Sequence, residues 1–181
     1  METRIVSKSN PRKATVRLCV TAMLMALNIV LSMSIFAIPV LGGKVYVNDI
    51  VIVLAALLLN PAEAFVVGGV GAFIGDLLFY PAPMFVSLVT RGLQAFLVSY
   101  ISHKALQSKP KLASVVAVAV GAVINVLGYT LGKIFVYSTF EYAMVKLPYQ
   151  ILMAVVGGAI GYFLCCHCGI RSVFKKTVGE N

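Results

Sequence analysis

Long apolar runs broken by Pro, Gly and charged residues fill the chain, with little strict alternation of apolar and polar positions, and this predicts helices rather than strands. Asn10-Pro11 opens the first run as a helix cap followed by proline at the first helical position. That run covers about 14–38 and is stopped by Pro39 and Gly42-Gly43. A second covers 47–59 and stops at Asn60-Pro61, and a third covers 62–79 before Pro81 and Pro83. The fourth, fifth and sixth cover 84–106, 112–137 and 147–168. Five of these are long enough for about 30 Å of hydrocarbon. The second is not, since about 13 residues rise roughly 20 Å. Such a span works only when buried among other helices or prolonged by irregular backbone lining a cavity. Short or Pro/Gly-interrupted spans of this kind point to a binding site.

Composition fits the same picture. Of 181 residues, 60% are hydrophobic and only 12% charged, against about 45–50% and about 25% in soluble domains. Too little polar surface exists to cover a water-soluble globule. An ordinary soluble enzyme, a disordered tail and a disulfide scaffold are therefore excluded, and the expectation is an all-α, polytopic membrane protein with six transmembrane helices. The start of the chain is basic, but the apolar run that follows is long and has no A-x-A site, so it reads as a span rather than a secretory signal.

The net charge of +9 is distributed as a topology signal rather than as a nucleic-acid footprint. All Lys and Arg except Lys44, Arg91, Lys133 and Lys146 fall on the side of the two termini and the connection between the fourth and fifth runs. The positive-inside rule places both termini in the cytoplasm of a cell-membrane protein. The expected organisation is a cytoplasmic segment 1–13, a membrane domain 14–168 and a basic cytoplasmic tail 169–181. Connections near 39–46, 80–83 and 138–146 then lie outside.

Candidate chemistry narrows quickly. There is no G-x-x-x-x-G-K-[ST] phosphate loop, and Gly69-Val70-Gly71-Ala72-Phe73-Ile74-Gly75 has the wrong spacing for a dinucleotide fingerprint. Gly68, Gly69, Gly71 and Gly75 read as close helix packing, as do Gly128 with Gly132 and Gly157, Gly158 with Gly161. In Cys165-Cys166-His167-Cys168 the adjacent helical cysteines diverge by about 100° and cannot easily close one tetrahedron, so the segment reads as small apolar residues at a helix end. His103 beside Lys104 reads as a solvated helix end. No cofactor, metal or catalytic set is expected, and the chain is expected not to be an enzyme.

The informative residues are polar groups inside the runs, where a charge costs about 2.5–3.5 kcal/mol on insertion scales. Asn48 and Asp49 open the second run, Asp76 lies near the outer end of the third, and Arg91 and Gln94 lie in the fourth. Asn125, Tyr129 and Lys133 form an i, i+4, i+8 stripe on the fifth, and Lys146, Tyr149 and Gln150 stand at the start of the sixth. Nearly all fall in the outer half, with Asn28 and Thr21 as mild exceptions. A through-pore needs polar groups at every depth, whereas this distribution describes a cup open to the outside above an apolar floor. With Tyr46, Tyr80, Tyr129, Tyr137 and Tyr149 as candidate walls, it is the usual form of a small-molecule site. Asp76 with Arg91 is a candidate ion pair between consecutive helices, structural or substrate-binding. An autonomous transporter or channel, and a membrane enzyme or assembly factor, stay open at this point.

One stretch carries a resemblance. Asn48-Asp49, the apolar run, Asn60-Pro61, Gly68-Gly69-Val70-Gly71, Gly75-Asp76-Leu77-Leu78, a Pro-containing turn and Thr90-Arg91-Gly92-Leu93-Gln94 follow one another. The order resembles G-D, apolar run, G-P, G-G-x-G, A-D-L-L, P, K-G-L-E in S components of energy-coupling factor (ECF) vitamin transporters. The branch resembled includes the riboflavin, pyridoxine and hydroxymethylpyrimidine proteins. Asn48 and Asn60 stand where the pattern has Gly, Arg91 where it has Lys, and Gln94 where it has Glu. The resemblance implies capture of a small vitamin or precursor from outside. Pyridoxine-like or hydroxymethylpyrimidine-like cargo comes first, with pantothenate or riboflavin as further candidates. It also implies release inside by toppling in the bilayer, with a membrane T component and two ATPase subunits that hydrolyse the ATP. Ala22 and Ala26 hold the small-x-x-x-small spacing that docks the T component in the family, and 41–46 corresponds to its gating loop.

Overall fold

The computed structural model describes residues 11–33, 38–40, 43–105 and 110–178. Helix α1 spans Pro11–Leu31 and is followed by a two-stranded antiparallel hairpin, β1 (Ile38–Val40) and β2 (Gly43–Val45), with Pro39 opposite Lys44. Helix α2 spans Asp49–Leu58 and α3 spans Pro61–Phe79. Helix α4 covers 84–105 and α5 covers 110–137. Helix α6 spans Phe140–Cys166 and α7 spans Ile170–Val178. Five helical segments are long and apolar enough to cross a membrane: Lys13–Leu31, Pro61–Phe79, Met84–Lys104, Leu112–Val136 and Phe140–Cys166.

Three boundaries differ from the sequence expectation. The first helix ends at Leu31, not near 38, and Ile38 and Pro39 lie in a three-residue strand of an otherwise all-α fold. At the stop Ser32 N still donates to the Asn28 carbonyl at 3.1 Å, and Met33 N turns back to the Val30 carbonyl at 3.0 Å in a tighter last turn. The sixth run begins at Phe140 rather than 147, which makes most of the expected outer connection 138–146 helical. Thr139 caps it, accepting from Tyr142 N at 3.4 Å, and Pro148 is carried inside the helix. The basic tail also contains a helix, α7, which places Phe174 in the core.

Helix α2 is the buried element around which the others pack. Ile52, Ala55, Ala56 and Leu57 have essentially no exposed surface, and they meet Val67, Ala95, Val98, Ala117 and Cys165 from α3, α4, α5 and α6. Burial on all sides is what a span of this length requires. Small residues make the approach possible. A Cβ at Gly157 would stand 2.8 Å from the Asp49 Cβ, and one at Gly161 would stand 3.0 Å from the Ile50 carbonyl oxygen. Gly68 and Gly69 bring α3 onto α4, while Gly71 faces Asn28 of α1 and Gly75 faces Ser32 just after it.

Helices α3, α4 and α5 each contain one π-helical turn, at Val66–Val70, Ile101–Ala105 and Lys133–Tyr137. The extra residue in such a turn changes which side chains face inward. The π-turn of α3 is tied to α1 by Asn28, whose Nδ2 donates to the Val67 carbonyl at 2.7 Å. At the start of α3, Glu63 accepts from the Asn60 backbone N at 3.2 Å and pairs with Arg17 of α1 at 2.8 Å.

The two ends of α2 have different surroundings. Its last residues sit in the apolar cluster, and Ser99 Oγ donates to the Leu59 carbonyl at 2.6 Å. Its first residue, Asp49, stands in a polar network that forms the wall of a pocket.

Candidate functional site

The pocket lies among the Asp49 end of α2, the Tyr80 end of α3, the Met84 end of α4, the Lys133 end of α5 and the Phe140 end of α6. Each helix contributes positions spaced by a turn, so one face of each looks inward. From α3 and the connection after it come Ala72, Asp76 and Tyr80, at i, i+4, i+8. Pro83 and Arg91 come from the next connection and α4, with Ser87 between them bonded to a lining residue. The α5 stripe Asn125, Tyr129, Lys133 lines the pocket as its spacing predicts. From α6 come Tyr142, Lys146, Gln150 and Met153.

A continuous set of hydrogen bonds fixes the wall. Asp49 Oδ1 accepts from Arg91 Nη1 and from Asn125 Nδ2, the latter at 2.9 Å. Arg91 Nε donates to Tyr129 Oη at 3.0 Å, and that hydroxyl shares a 2.6 Å bond with Ser87 Oγ. Gln150 Nε2 donates to the Asn125 carbonyl at 3.1 Å, and its Oε1 accepts from the Lys133 ammonium. Side chains of four helices take part. Asp49 and Arg91 are only 5% and 8% exposed, so the pair is buried. A buried pair survives when its remaining lone pairs and protons are satisfied, which Asn125 and Tyr129 do.

Arg91 therefore pairs with Asp49, not with Asp76 as the sequence order of the helices had suggested. Consecutive helices need not bring their charges together when a shorter buried helix presents a carboxylate at the same level. Asp76 lines the pocket beside Ser87 and within electrostatic reach of Arg91, with Tyr46 close by. Burial raises the Tyr46 hydroxyl above its ordinary range, and Asp76, Tyr80 and Tyr142 add to the effect. These residues stand around one mouth. Asn48 also lines the pocket; its Nδ2 donates to Ser32 Oγ at 3.2 Å, while its buried Oδ1 has no hydrogen bond among the described residues.

Of the site residues expected from sequence, Tyr46, Asn48, Asp49, Asp76, Tyr80, Arg91, Asn125, Tyr129, Lys133, Lys146 and Gln150 all line this one pocket. Gln94 and Tyr149 do not. Gln94 is buried one turn deeper at the seam of α4 and α5, where its Cγ faces Gly121. Tyr149 is half-buried on α6. The side chain of Tyr137 lies outside the described residues. Ala72, Pro83, Tyr142 and Met153 line the pocket without having been singled out. The signal for three of them was helical spacing: Ala72 is four before Asp76, Tyr142 four before Lys146, and Met153 three after Gln150. Tyr142 was hidden because α6 starts earlier than its apolar run.

Ala22 and Ala26 are elsewhere. Both are exposed on α1, on a face shared with Met23 (72% exposed) and Leu27, and neither packs inside the chain. Only 11% of the α1 span is buried, against 28–44% for the other four long spans. The described residues contain no group of three or more His, Cys, Asp or Glu placed to hold a metal ion.

Comparison with known proteins adds the family. Residues 12–168 match the family described as "ECF-type riboflavin transporter, S component". A Pyrococcus woesei protein described as "Uncharacterized protein in gap 3'region" is 30% identical over 133 residues, covering 70% of this chain and 87% of that protein.

Proposed function

The chain belongs to the family of ECF-type riboflavin transporter S components, a multi-pass membrane family of transporter subunits rather than enzymes, and from that premise we propose that it captures a small vitamin or vitamin precursor in the pocket around Asp76, Tyr142 and Lys133. The observation that carries this reading is the convergence of polar and aromatic residues from five helices on one pocket, above a core built from Ile52, Leu57, Val67 and Val98. A few fixed polar groups between aromatic walls are what orients a small solute. The buried Asn48 Oδ1 is an acceptor held ready for a ligand donor.

In this reading α2 is the sixth crossing, both termini are cytoplasmic and the pocket opens outward. Strands β1 and β2, the second of which lies against α6, close over the bound solute. Release inside requires a membrane T component and two ATPases that supply the energy, since the chain has no phosphate-binding loop of its own. The exposed small-residue face at Ala22 and Ala26 receives the T component, because small residues let two helices approach closely in lipid. Neutral heteroaromatics of the pyridoxine or hydroxymethylpyrimidine kind and acids such as pantothenate are the candidate cargoes, with riboflavin the largest.

Calorimetric titration of the purified full chain across the B vitamins, without nucleotide, tests the proposal. One tight, saturable heat is expected, and vesicles holding the chain without ATPases should show no uptake. Flat titrations across the set would overturn it, and unaided flux would point to an autonomous transporter.

A further inference from the structure

Three neutral amides stand in the pocket wall, and each spends its nitrogen on the protein. Gln150 Nε2 donates to the carbonyls of Asn125 and Val126 at 3.1 and 3.4 Å, and Asn125 Nδ2 donates to Asp49 Oδ1 at 2.9 Å. Asn48 Nδ2 donates to Ser32 Oγ at 3.2 Å. A hydroxyl has a single proton to give, and Ser32 gives its own to the Asn28 carbonyl at 3.0 Å. Toward Asn48 it can therefore only accept, which fixes the amide nitrogen on Ser32 and leaves the amide oxygen over. The oxygens have different fates. Gln150 Oε1 accepts from Lys133, whereas Asn48 Oδ1 is buried and accepts from nothing among the described residues.

Asparagine just ahead of a helix ordinarily turns its side-chain oxygen onto a backbone N–H of the first turn. Asn48 stands just ahead of α2 and makes no such bond. It lines the pocket and is only 4% exposed, and a buried acceptor without a donor is costly. Its setting is rigid. Ser32 has no room to withdraw, since a Cβ at Gly75 would stand 2.6 Å from its own Cβ, and Asn28 behind it is tied to the Val67 carbonyl at 2.7 Å. Resting on the functional reading above and narrowing it, we infer that Asn48 selects the end of the cargo that reaches the start of α2. Its Oδ1 accepts from a neutral donor there, an amino group, a hydroxyl or a ring N–H. A carbonyl, an ether or an unprotonated ring nitrogen in that place is refused, because two lone pairs would face each other away from water and the amide cannot turn to offer its nitrogen.

Calorimetry on the full chain tests this with the B vitamins that bind, riboflavin, pyridoxine and hydroxymethylpyrimidine being tried first. Each is compared with derivatives in which one donor at a time is blocked by methylation. Blocking one particular donor should weaken binding about tenfold or more. In Asn48→Leu the parent vitamin should bind about tenfold more weakly, and the same methylation should then cost at most about twofold. Leucine fills a similar volume, so a lost preference reports the missing oxygen and not added room. Should that variant fail to fold, Ser32→Ala keeps Asn48 but frees its amide to turn, and the preference should shrink severalfold. Methylation losses that are the same in the parent protein and in the variants, or absent from both, overturn the selecting role of Asn48 and leave the importer reading intact. No binding of any B vitamin overturns both.

Discussion

Asp49 and Arg91, 42 residues apart, meet where the start of the short buried helix α2 faces the middle of α4, and Asn125 completes the carboxylate from α5 at 2.9 Å. The pair lies at the wall of the pocket and also at the point where three helices are pinned. It therefore has a cost and a purpose. Desolvating two charges is expensive, and their attraction repays it only with good geometry and satisfied neighbours. In return the pair fixes how deep α2 sits, and so where Asn48 and Asp49 stand in the wall.

Breaking the pair from one side should be severe. Asp49→Asn leaves Arg91 buried without its counter-charge and should cost about 3–5 kcal/mol, read as a lower thermal midpoint in detergent. The double variant Asp49→Asn with Arg91→Met should recover most of that loss, since no uncompensated charge remains. A single variant that melts with the parent protein would show that the pair carries little of the helix packing.

The glycine contacts make a graded prediction. At Gly68 an added Cβ meets the Arg91 carbonyl oxygen and the Ala95 Cβ, each at 2.8 Å, and neither can swing aside. Gly68→Ala should therefore push α3 off α4 and cost about 1–3 kcal/mol. At Gly158 the contact is one methyl, the Val118 Cγ1 at 2.8 Å, which a rotamer change relieves. Gly158→Ala should be close to neutral. The two variants compared side by side in thermal melts check the ordering, and the reverse order would refute it.

In the proposed reading helix α1 separates docking from binding. Ala22 and Ala26 are exposed and far in sequence from every pocket residue, so Ala22→Leu and Ala26→Leu have no internal neighbour to disturb. Each should abolish co-purification with the T component and ATPases and leave vitamin affinity and thermal stability as they were. Loss of affinity together with docking would mean that the face serves the fold instead.

The helix order and the polar stripes were legible because both follow from periodicity. Asn125, Tyr129 and Lys133 repeat every four residues, and a helix has no other way to use that spacing than on one face. What periodicity does not encode is which faces meet. Asp76 and Arg91 looked like partners from their adjacent helices, but Asp49 reaches Arg91 because glycines at 157 and 161 let α2 sink against α6. Gln94 looked like a pocket residue one turn below Arg91, yet three residues on a helix turn the side chain by about 300°, which takes it to the α4–α5 seam. Helix ends were the least legible. Hydrophobicity marks where lipid begins, whereas Thr139 starts a helix by hydrogen bonding.

The orientation proposed from the charge distribution is open to direct measurement. Arg171 and Lys176 of α7 lie at one end of the bundle, while Ser138 and Tyr142 lie at the pocket end. With the four cysteines, Cys19, Cys165, Cys166 and Cys168, replaced by Ser, a single thiol can be placed at will. Ser138→Cys and Tyr142→Cys should react with a membrane-impermeant maleimide on intact cells, and Ser172→Cys only after permeabilisation. Bound vitamin should protect Tyr142→Cys while leaving Ser138→Cys reactive, because only the first lines the pocket. Labelling of Ser172→Cys on intact cells would invert the topology and place the mouth of the pocket toward the cytoplasm. An importer subunit that takes its cargo from outside does not tolerate that result, so this experiment bears on the function as directly as on the fold.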